Sequence, residues 1–147
     1  CPWGYKMFRG ICYKAYNYTA SYQRSLFFCS REAGGTLAMP CDRATNDFLV
    51  RLKNSVDWRA RFRFGLHDMA FENDWRWVDD SRLDRRKFSD WGPGEPNDYL
   101  QGAEEDCVEY FEASRYLSKW NDAPCSLKRK FICQVAPAGW SNDFHWR

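Results

Sequence analysis

The sequence predicts a disulfide-linked domain of the α+β class. Two segments have the helical spacing of apolar residues, and they are interspersed with short segments that have the composition of strands. Seven cysteines, none in a Cys-x-x-Cys pair, are spread widely along 147 residues, which is typical of disulfides formed in an oxidising compartment. A chain of this length with 18% aromatic residues can bury one sizeable core, so we expect a single domain.

The N-terminal segment predicts a β-hairpin followed by a helix. Aromatic and apolar residues alternate over residues 3–18 around Gly10, which is the pattern of two short paired strands. Ser21 is a suitable N-cap for a helix that we expect to continue through Ala33. The pair Gly34-Gly35 should then end it, because glycine is a poor helix former.

A strand, a second helix and another strand are predicted next. Residues 36–39 form a short strand that Pro40 ends. The apolar spacing between Asp42 and about Val56 predicts an amphipathic helix. The segment Phe62-Arg63-Phe64-Gly65-Leu66 is then expected to be a strand.

Beyond Leu66 the predicted strands are short and the loops are long. Strands are expected over residues 75–78, 107–111 and 130–133. Residues 78–106 are rich in Gly, Pro, Asp, Asn and Ser and show little periodicity. A loop of this length inside a compact domain usually has a function.

Three segments of the second half concentrate acidic and amide side chains, and no histidine lies near them. We expect three loops to bring these segments together. Carboxylate and amide oxygens are the ligands that Ca²⁺ prefers, whereas Zn²⁺ would use thiolate or imidazole and Mg²⁺ would keep more water. The segments are Glu95-Pro96-Asn97-Asp98, Glu105-Asp106-Cys107 and Trp120-Asn121-Asp122.

The order of the motifs resembles the C-type lectin domain family, the calcium-dependent carbohydrate-recognition module. The resemblance covers residues 1–135 and leaves 136–147 as a C-terminal tail or linker. It implies two helices flanking two small antiparallel sheets, with a long calcium-binding loop region. The matching motifs are Cys29 to Ala38, Phe64-Gly65-Leu66, Trp77-Val78, Glu95-Pro96-Asn97, Glu105-Asp106-Cys107, Trp120-Asn121-Asp122 and Phe131-Ile132-Cys133.

The resemblance also implies three disulfides, which the cysteine spacing alone does not select. They are Cys1–Cys12, Cys29–Cys133 and Cys107–Cys125. Cys41 lies outside these pairs, and three fates stay open for it: a bond to another chain that would make a homodimer, a bond to a small thiol, or burial.

For the sugar-binding Ca²⁺, the resemblance implies Glu95, Asn97, Glu105, Asn121 and Asp122 as ligands. Because Ca²⁺ takes about six to eight oxygens, this set leaves room for about two sugar hydroxyls. In the family the order Glu-Pro-Asn goes with mannose, glucose, N-acetylglucosamine or fucose, and a cis bond is expected before Pro96.

A second, auxiliary Ca²⁺ is also expected from the resemblance. Its ligands would be Asp68, Glu72, Asp98 and Asp106, with Glu105 shared between the two ions. The alternative is that Asp68 and Glu72 are solvated loop acids.

The predicted function is calcium-dependent binding of mannose-type sugars, including those of microbial cell-wall or envelope polysaccharides, by a secreted protein of innate immunity. The sequon Asn17-Tyr18-Thr19 agrees with a secreted glycoprotein. No histidine has a nucleophile nearby, so we expect no enzyme activity. The net charge of +2 indicates no nucleic-acid partner, and no run approaches the roughly 20 apolar residues of a membrane span.

The alternative function is a protein- or polyanion-binding module in which calcium is only structural. At strand spacing Arg59, Arg61 and Arg63 would line one basic face. Two further clusters are Arg82 with Arg85, Arg86 and Lys87, and Lys128-Arg129-Lys130. Clustered cations attract anions such as sulfated glycans, but 20 acidic residues also allow these to be scattered solvated charges.

Overall fold

Two helices form where the sequence predicts them. The structure is a computed structural model, and it describes residues 1–84, 86–97 and 106–136. Helix α1 spans Tyr22–Ser30 with Ser21 as its N-cap, and helix α2 spans Arg43–Asp57 with Asp42 as its N-cap. The α1 helix ends three residues before the predicted Ala33, which adopts a left-handed φ of 52° that an α-helix cannot contain.

The strands form one mixed sheet, in the order β1-β2-β8-β4-β6-β7 with β3 beside β8 and β5 beside β4. Only β4 and β8 run parallel to each other among the described pairs. This pair joins the two antiparallel sheets that the resemblance implies into a single sheet, and the α+β class is confirmed. The strands are β1 Lys6–Phe8, β2 Ile11–Ala20, β3 Thr36–Leu37, β4 Phe62–His67, β5 Arg76–Trp77, β6 Cys107–Tyr110, β7 Trp120–Ala123 and β8 Arg129–Val135, with one 3-10 turn over Tyr116–Ser118.

An aromatic core holds β7 against the centre of the sheet. Trp120 is fully buried, and its ring centroid lies 5.3 Å from that of Phe64 and 5.9 Å from that of Trp77. All four residues of β7 are buried, and they pair with β6. The prediction that Trp120-Asn121-Asp122 lies in a loop is therefore wrong, because burial of the tryptophan places its neighbours in a strand.

Three disulfides connect elements that are distant along the chain. The pairs are Cys1–Cys12, Cys29–Cys133 and Cys107–Cys125, which are the pairs that the resemblance implies. The second joins α1 to β8 across a sequence separation of 104 residues. Cys41 lies outside the three disulfides and is partly buried.

The basic face expected from Arg59, Arg61 and Arg63 does not form. All five residues from Phe62 to Leu66 are buried, because β4 is an interior strand that is covered on both sides. The Arg63 guanidinium donates to the carbonyl oxygens of three residues over 3.3–3.4 Å, namely Ala20, Pro124 and Cys125. The alternation of arginines with apolar residues over 59–64 therefore does not place the arginines together on one exposed face.

None of the helices in the described part of the chain has both the length and the apolar composition needed to cross a membrane. The predicted tail falls almost entirely on residues 137–147, which lie outside the described residues, as does Arg85 of the second basic cluster.

Candidate functional site

The segment from Asp90 to Asn97 is attached along strand β7 by three hydrogen bonds. The Trp120 amide donates to the Asp90 carbonyl over 2.8 Å, and the Gly92 amide donates back to the Trp120 carbonyl over 2.8 Å. Further along, the Asn97 amide donates to Asp122 Oδ1 over 3.0 Å. The motif Glu95-Pro96-Asn97 is thereby held beside Asp122.

Helix α2 fixes the start of this segment through Asn46. Its amide nitrogen donates to Asp90 Oδ2 over 3.2 Å. Its amide oxygen accepts from the Tyr110 hydroxyl over 2.6 Å and from Trp120 Nε1 over 3.0 Å. Because Asn46 is buried and bonded on both sides, it ties the loop to the two strands that lie below it.

Gly92 allows the segment to approach β7 closely. A Cβ atom at this position would lie 3.0 Å from Phe111 Cε2 and 3.3 Å from the Trp120 carbonyl oxygen. Three residues further on, the bond between Glu95 and Pro96 is cis, as the resemblance implies. Glu95 and Asn97 therefore flank a cis proline next to Asp122.

The oxygen atoms gathered at this place fit a hard cation. Asp122 is fully buried, and Glu95 is half-buried. Asn97 Oδ1 is buried and accepts no hydrogen bond from any residue that the structure describes. A buried carbonyl oxygen normally has a donor, and a cation coordinated by this oxygen would satisfy it in the same way.

Two of the five predicted ligands are not placed with this group. Glu105 lies outside the described residues. Asn121 lies next to Asp122 on β7, but its side chain projects from the other face of the strand, where Nδ2 donates to Glu109 Oε2 over 2.9 Å.

Three of the five carboxylates predicted for the auxiliary site lie together. One oxygen from each of Asp68, Glu72 and Asp106 is within 4.8 Å of the other two. Asp68 is buried directly after β4, where its amide donates to the Asp106 carbonyl over 3.0 Å and its Oδ2 accepts from the Asn73 amide over 2.8 Å. The other two carboxylates, Asp98 and the shared Glu105, lie outside the described residues.

Sequence reasoning missed a network centred on Glu109. This carboxylate is fully buried and accepts from Arg61 Nη1 over 3.0 Å and Arg129 Nε over 2.6 Å, in addition to Asn121. A glutamate inside the predicted strand 107–111 was the available signal, because a buried carboxylate requires a cationic partner.

Comparison with known proteins identifies the family. The family model described as Lectin C-type domain matches residues 18–135. The chain belongs to the C-type lectin domain family. Members of this family are binding modules rather than enzymes, so this C-type lectin domain is a binding module, as the sequence predicts.

Two similar curated proteins are longer than this chain. CD209 antigen-like protein 2 of Macaca mulatta is 35% identical over 143 residues, which are 97% of this chain and 52% of that protein. C-type lectin domain family 4 member E of Mus musculus is 33% identical over 135 residues, or 92% of this chain and 60% of that protein. The C-type lectin domain described here therefore spans about half the length of these relatives.

Solved C-type lectin structures match nearly the whole domain. The C-type lectin domain of murine dendritic cell inhibitory receptor 2, solved in complex with N-glycan, has a TM-score of 0.77 and 30% identity, covering 93% of this chain and 99% of that one. The carbohydrate-recognition domain of mouse scavenger receptor C-type lectin has a TM-score of 0.80 and 25% identity, covering 92% and 98%.

Proposed function

We propose that this domain binds glycans through a Ca²⁺ ion. The main support is the Asn97 side chain, whose buried Oδ1 accepts from no described residue while its backbone amide is bonded to Asp122. The structure of a relative in complex with N-glycan supports the glycan as ligand. The proposed ligands of the ion are Glu95, Asn97, Glu105, Asn121 and Asp122, of which Asn121 would first have to release its hydrogen bond to Glu109.

The chemistry of these side chains suits sugar hydroxyls. When bound, the ion would supply coordination positions to two vicinal hydroxyls. Glu95 would accept a hydrogen bond from one hydroxyl, since hydrogen bonds to charged acceptors are the stronger kind, and the side-chain Nδ2 of Asn97 would donate a hydrogen bond to the same hydroxyl. Carboxylates and amides around one ion thus provide the acceptors and donors that two hydroxyl groups need.

The order Glu95-Pro96-Asn97 supports a preference for mannose-type sugars, namely mannose, glucose, N-acetylglucosamine or fucose. This specificity is part of the proposal, and it rests on the family resemblance.

A second Ca²⁺ is proposed at Asp68, Glu72, Asp98 and Asp106, with Glu105 shared. The proximity of Asp68, Glu72 and Asp106 supports it, because a cation among three carboxylates would offset their mutual repulsion. This ion would stiffen the loop that presents the sugar site.

The proposed location is extracellular, and the proposed glycans include microbial cell-wall or envelope polysaccharides in innate immunity. Three disulfides support an oxidising compartment. Asn17 of the sequon is exposed on β2, which would allow glycosylation there. A homodimer through Cys41 is proposed as a way to raise avidity.

The test is retention on mannose resin with and without a chelator. We expect retention in calcium, release by EGTA, and weaker binding at acid pH because protonated carboxylates no longer hold the ion. Exchanging the motif with Glu95→Gln and Asn97→Asp should shift preference toward galactose.

The matched control is Glu32→Gln with Asn54→Asp, which makes the same chemical exchange outside the site and should leave mannose preference unchanged. Mannose binding that persists in EGTA, or that survives the Glu95→Gln and Asn97→Asp exchange, would exclude the proposed site.

A further inference from the structure

A basic groove lies between strand β8 and the turn that follows helix α2. It has a volume of about 340 Å³, within the usual range of small-ligand pockets, about 300–1,000 Å³. Five of its eight lining residues are cationic and one, Glu112, is acidic. The five cations are Arg59, Arg61, Lys128, Arg129 and Lys130.

The carboxylates around the groove do not balance its cations. Arg61 and Arg129 both pair with Glu109, Arg61 also pairs with Glu112, and Lys130 pairs with Asp57. The two remaining cations, Arg59 and Lys128, are exposed. Neither of them forms a salt bridge with any described residue.

A sixth cation is buried beside the groove. Arg63 lies opposite Glu109 in the sheet and donates only to carbonyl oxygens among the described residues. Burial lowers its pKa to about 10, so the guanidinium stays protonated at neutral pH. Six cations against the three carboxylates of Glu109, Glu112 and Asp57 leave an excess of three positive charges.

Two arginines that line the groove are held by ion pairs and keep an unused donor group. Arg61 uses Nε and Nη1 for its ion pairs, and Arg129 uses Nε for Glu109 and Nη1 for the Lys128 carbonyl. The Nη2 atoms of both donate to no residue in the described ranges. Because the carboxylates already hold these side chains, an anion would bind without the full cost of ordering them.

An aromatic groove of about 360 Å³ continues from the basic one and shares Thr19 and Lys128 with it. Its lining includes Tyr18, Phe27 and Phe28, of which 44%, 60% and 36% are exposed, respectively. Aromatic faces offer apolar surface to a ligand that presents both rings and charges.

We propose that these two grooves together bind a sulfated polysaccharide, with sulfate groups in the basic groove and sugar rings against the aromatic side chains. Planar guanidinium groups match the oxygens of such anions. Single-stranded nucleic acid has similar chemistry, but three disulfides favour an oxidising compartment over the cytosol and nucleus, so we take the sulfated polysaccharide as the ligand.

This site is separate from the proposed calcium site. None of the residues that line either groove belongs to the predicted calcium ligands. Sulfated-saccharide binding should therefore persist in EGTA, whereas mannose binding should not, so that failure of one proposal can be told apart from failure of the other.

The experiment measures binding of a heparin-derived tetrasaccharide by calorimetry in EGTA, with protein made without N-glycans. The groove variant Arg59→Gln with Lys128→Gln removes two exposed cations that form no described salt bridge. We expect its affinity to fall at least about tenfold, because rim charges attract and retain anions. The matched control Lys6→Gln with Lys87→Gln removes the same charge from outside both grooves and should change affinity less than about twofold.

Four results would overturn the proposal: an equal loss in both double variants, loss of binding in EGTA, equal binding of an unsulfated tetrasaccharide, or tighter binding of single-stranded oligouridine. The variant Arg59→Lys with Lys128→Arg keeps the charge and should retain binding. Circular dichroism of each variant confirms that the domain is folded.

Discussion

The candidate calcium site and the Glu109 network meet at strand β7, yet their oxygen atoms are satisfied in opposite ways. Glu109 accepts from two arginines and from Asn121, whereas buried Asn97 Oδ1 accepts from no described residue. Asn121 and Asp122 are adjacent, but they face these two regions separately. The two arginines thus give the Glu109 carboxylate a structural role, while a buried amide oxygen that accepts from no described residue fits a metal ion.

The largest effect should come from removing the buried carboxylate of Glu109. The substitution Glu109→Gln leaves Arg61, Arg129 and buried Arg63 close together, and loss of one partner from a buried ion pair costs about 3–5 kcal/mol. Urea unfolding at neutral pH should show this fall in the free energy of unfolding.

The matched substitution is Glu112→Gln, because Glu112 also pairs with Arg61 but its side chain is 26% exposed. It should cost less than about 1 kcal/mol. Equal costs for the two variants would show that Glu109 is not the structural centre of the network.

The next effect concerns the opposite face of β7. Asp122→Asn keeps an oxygen that can accept from the Asn97 amide but removes a charge from the proposed calcium ligands. Since ligand charge sets calcium affinity, we expect calcium to bind about 10–100-fold more weakly, measured by calorimetry.

The control for this variant is Asp47→Asn on the exposed side of α2, which should leave calcium affinity unchanged. If Asp122→Asn bound calcium as tightly as the wild-type protein, Asp122 would not be a calcium ligand, and the contrast between this site and the Glu109 network would no longer hold.

The smallest effect tests a buried cation that has no carboxylate in salt-bridge range among the described residues. Lys53 is fully buried, donates to Asn54 Oδ1 over 2.7 Å and lies 5.9 Å from the Phe62 and Tyr110 ring centroids. Burial lowers the pKa of Lys53 to about 8 from the ordinary 10.5. Between about pH 8 and pH 10.5 the lysine is protonated in the unfolded chain and neutral in the folded chain. The free-energy cost of burying its charge is therefore fully present below about pH 8, and it is relieved as the pH rises toward 10.5.

The free energy of unfolding of the wild-type protein, taken relative to that of Lys53→Met, should therefore rise by more than about 1 kcal/mol between pH 7 and pH 10. Urea unfolding at both pH values measures this. The exposed Lys6→Met variant should show no such gain, and a gain of the same size there would contradict the assignment to Lys53.

Local signals predicted much of the fold. Ser21 was predicted as an N-cap, because a cap depends on a few adjacent residues, whereas Asp42 was predicted as the first residue of the second helix and is its N-cap. Strand β4 was predicted from its apolar run, but the burial of Arg63 was not, because a strand covered on both faces has no exposed side to receive a charged residue.

For the candidate site, some expected groupings of residues agree with the structure and others do not. Asp68, Glu72 and Asp106, chosen by chemical type, do lie together and stay a prediction as metal ligands, whereas the Asn121 side chain faces Glu109. Which side of β7 each residue faces depends on the burial of Trp120 and on pairing with β6, and neither is visible in the spacing of the motif.

The sequence by itself determined the family, the α+β class and the oxygen-rich composition of the candidate site, because these depend on residue type and order along the chain. Only the tertiary structure decided which charges are paired, that β4 and β8 join the sheet, and that separate basic segments form one groove. Those features depend on contacts between residues far apart in the chain, such as Arg61 with Glu109 and Lys130 with Asp57, whose energies follow from distance and burial rather than from sequence position.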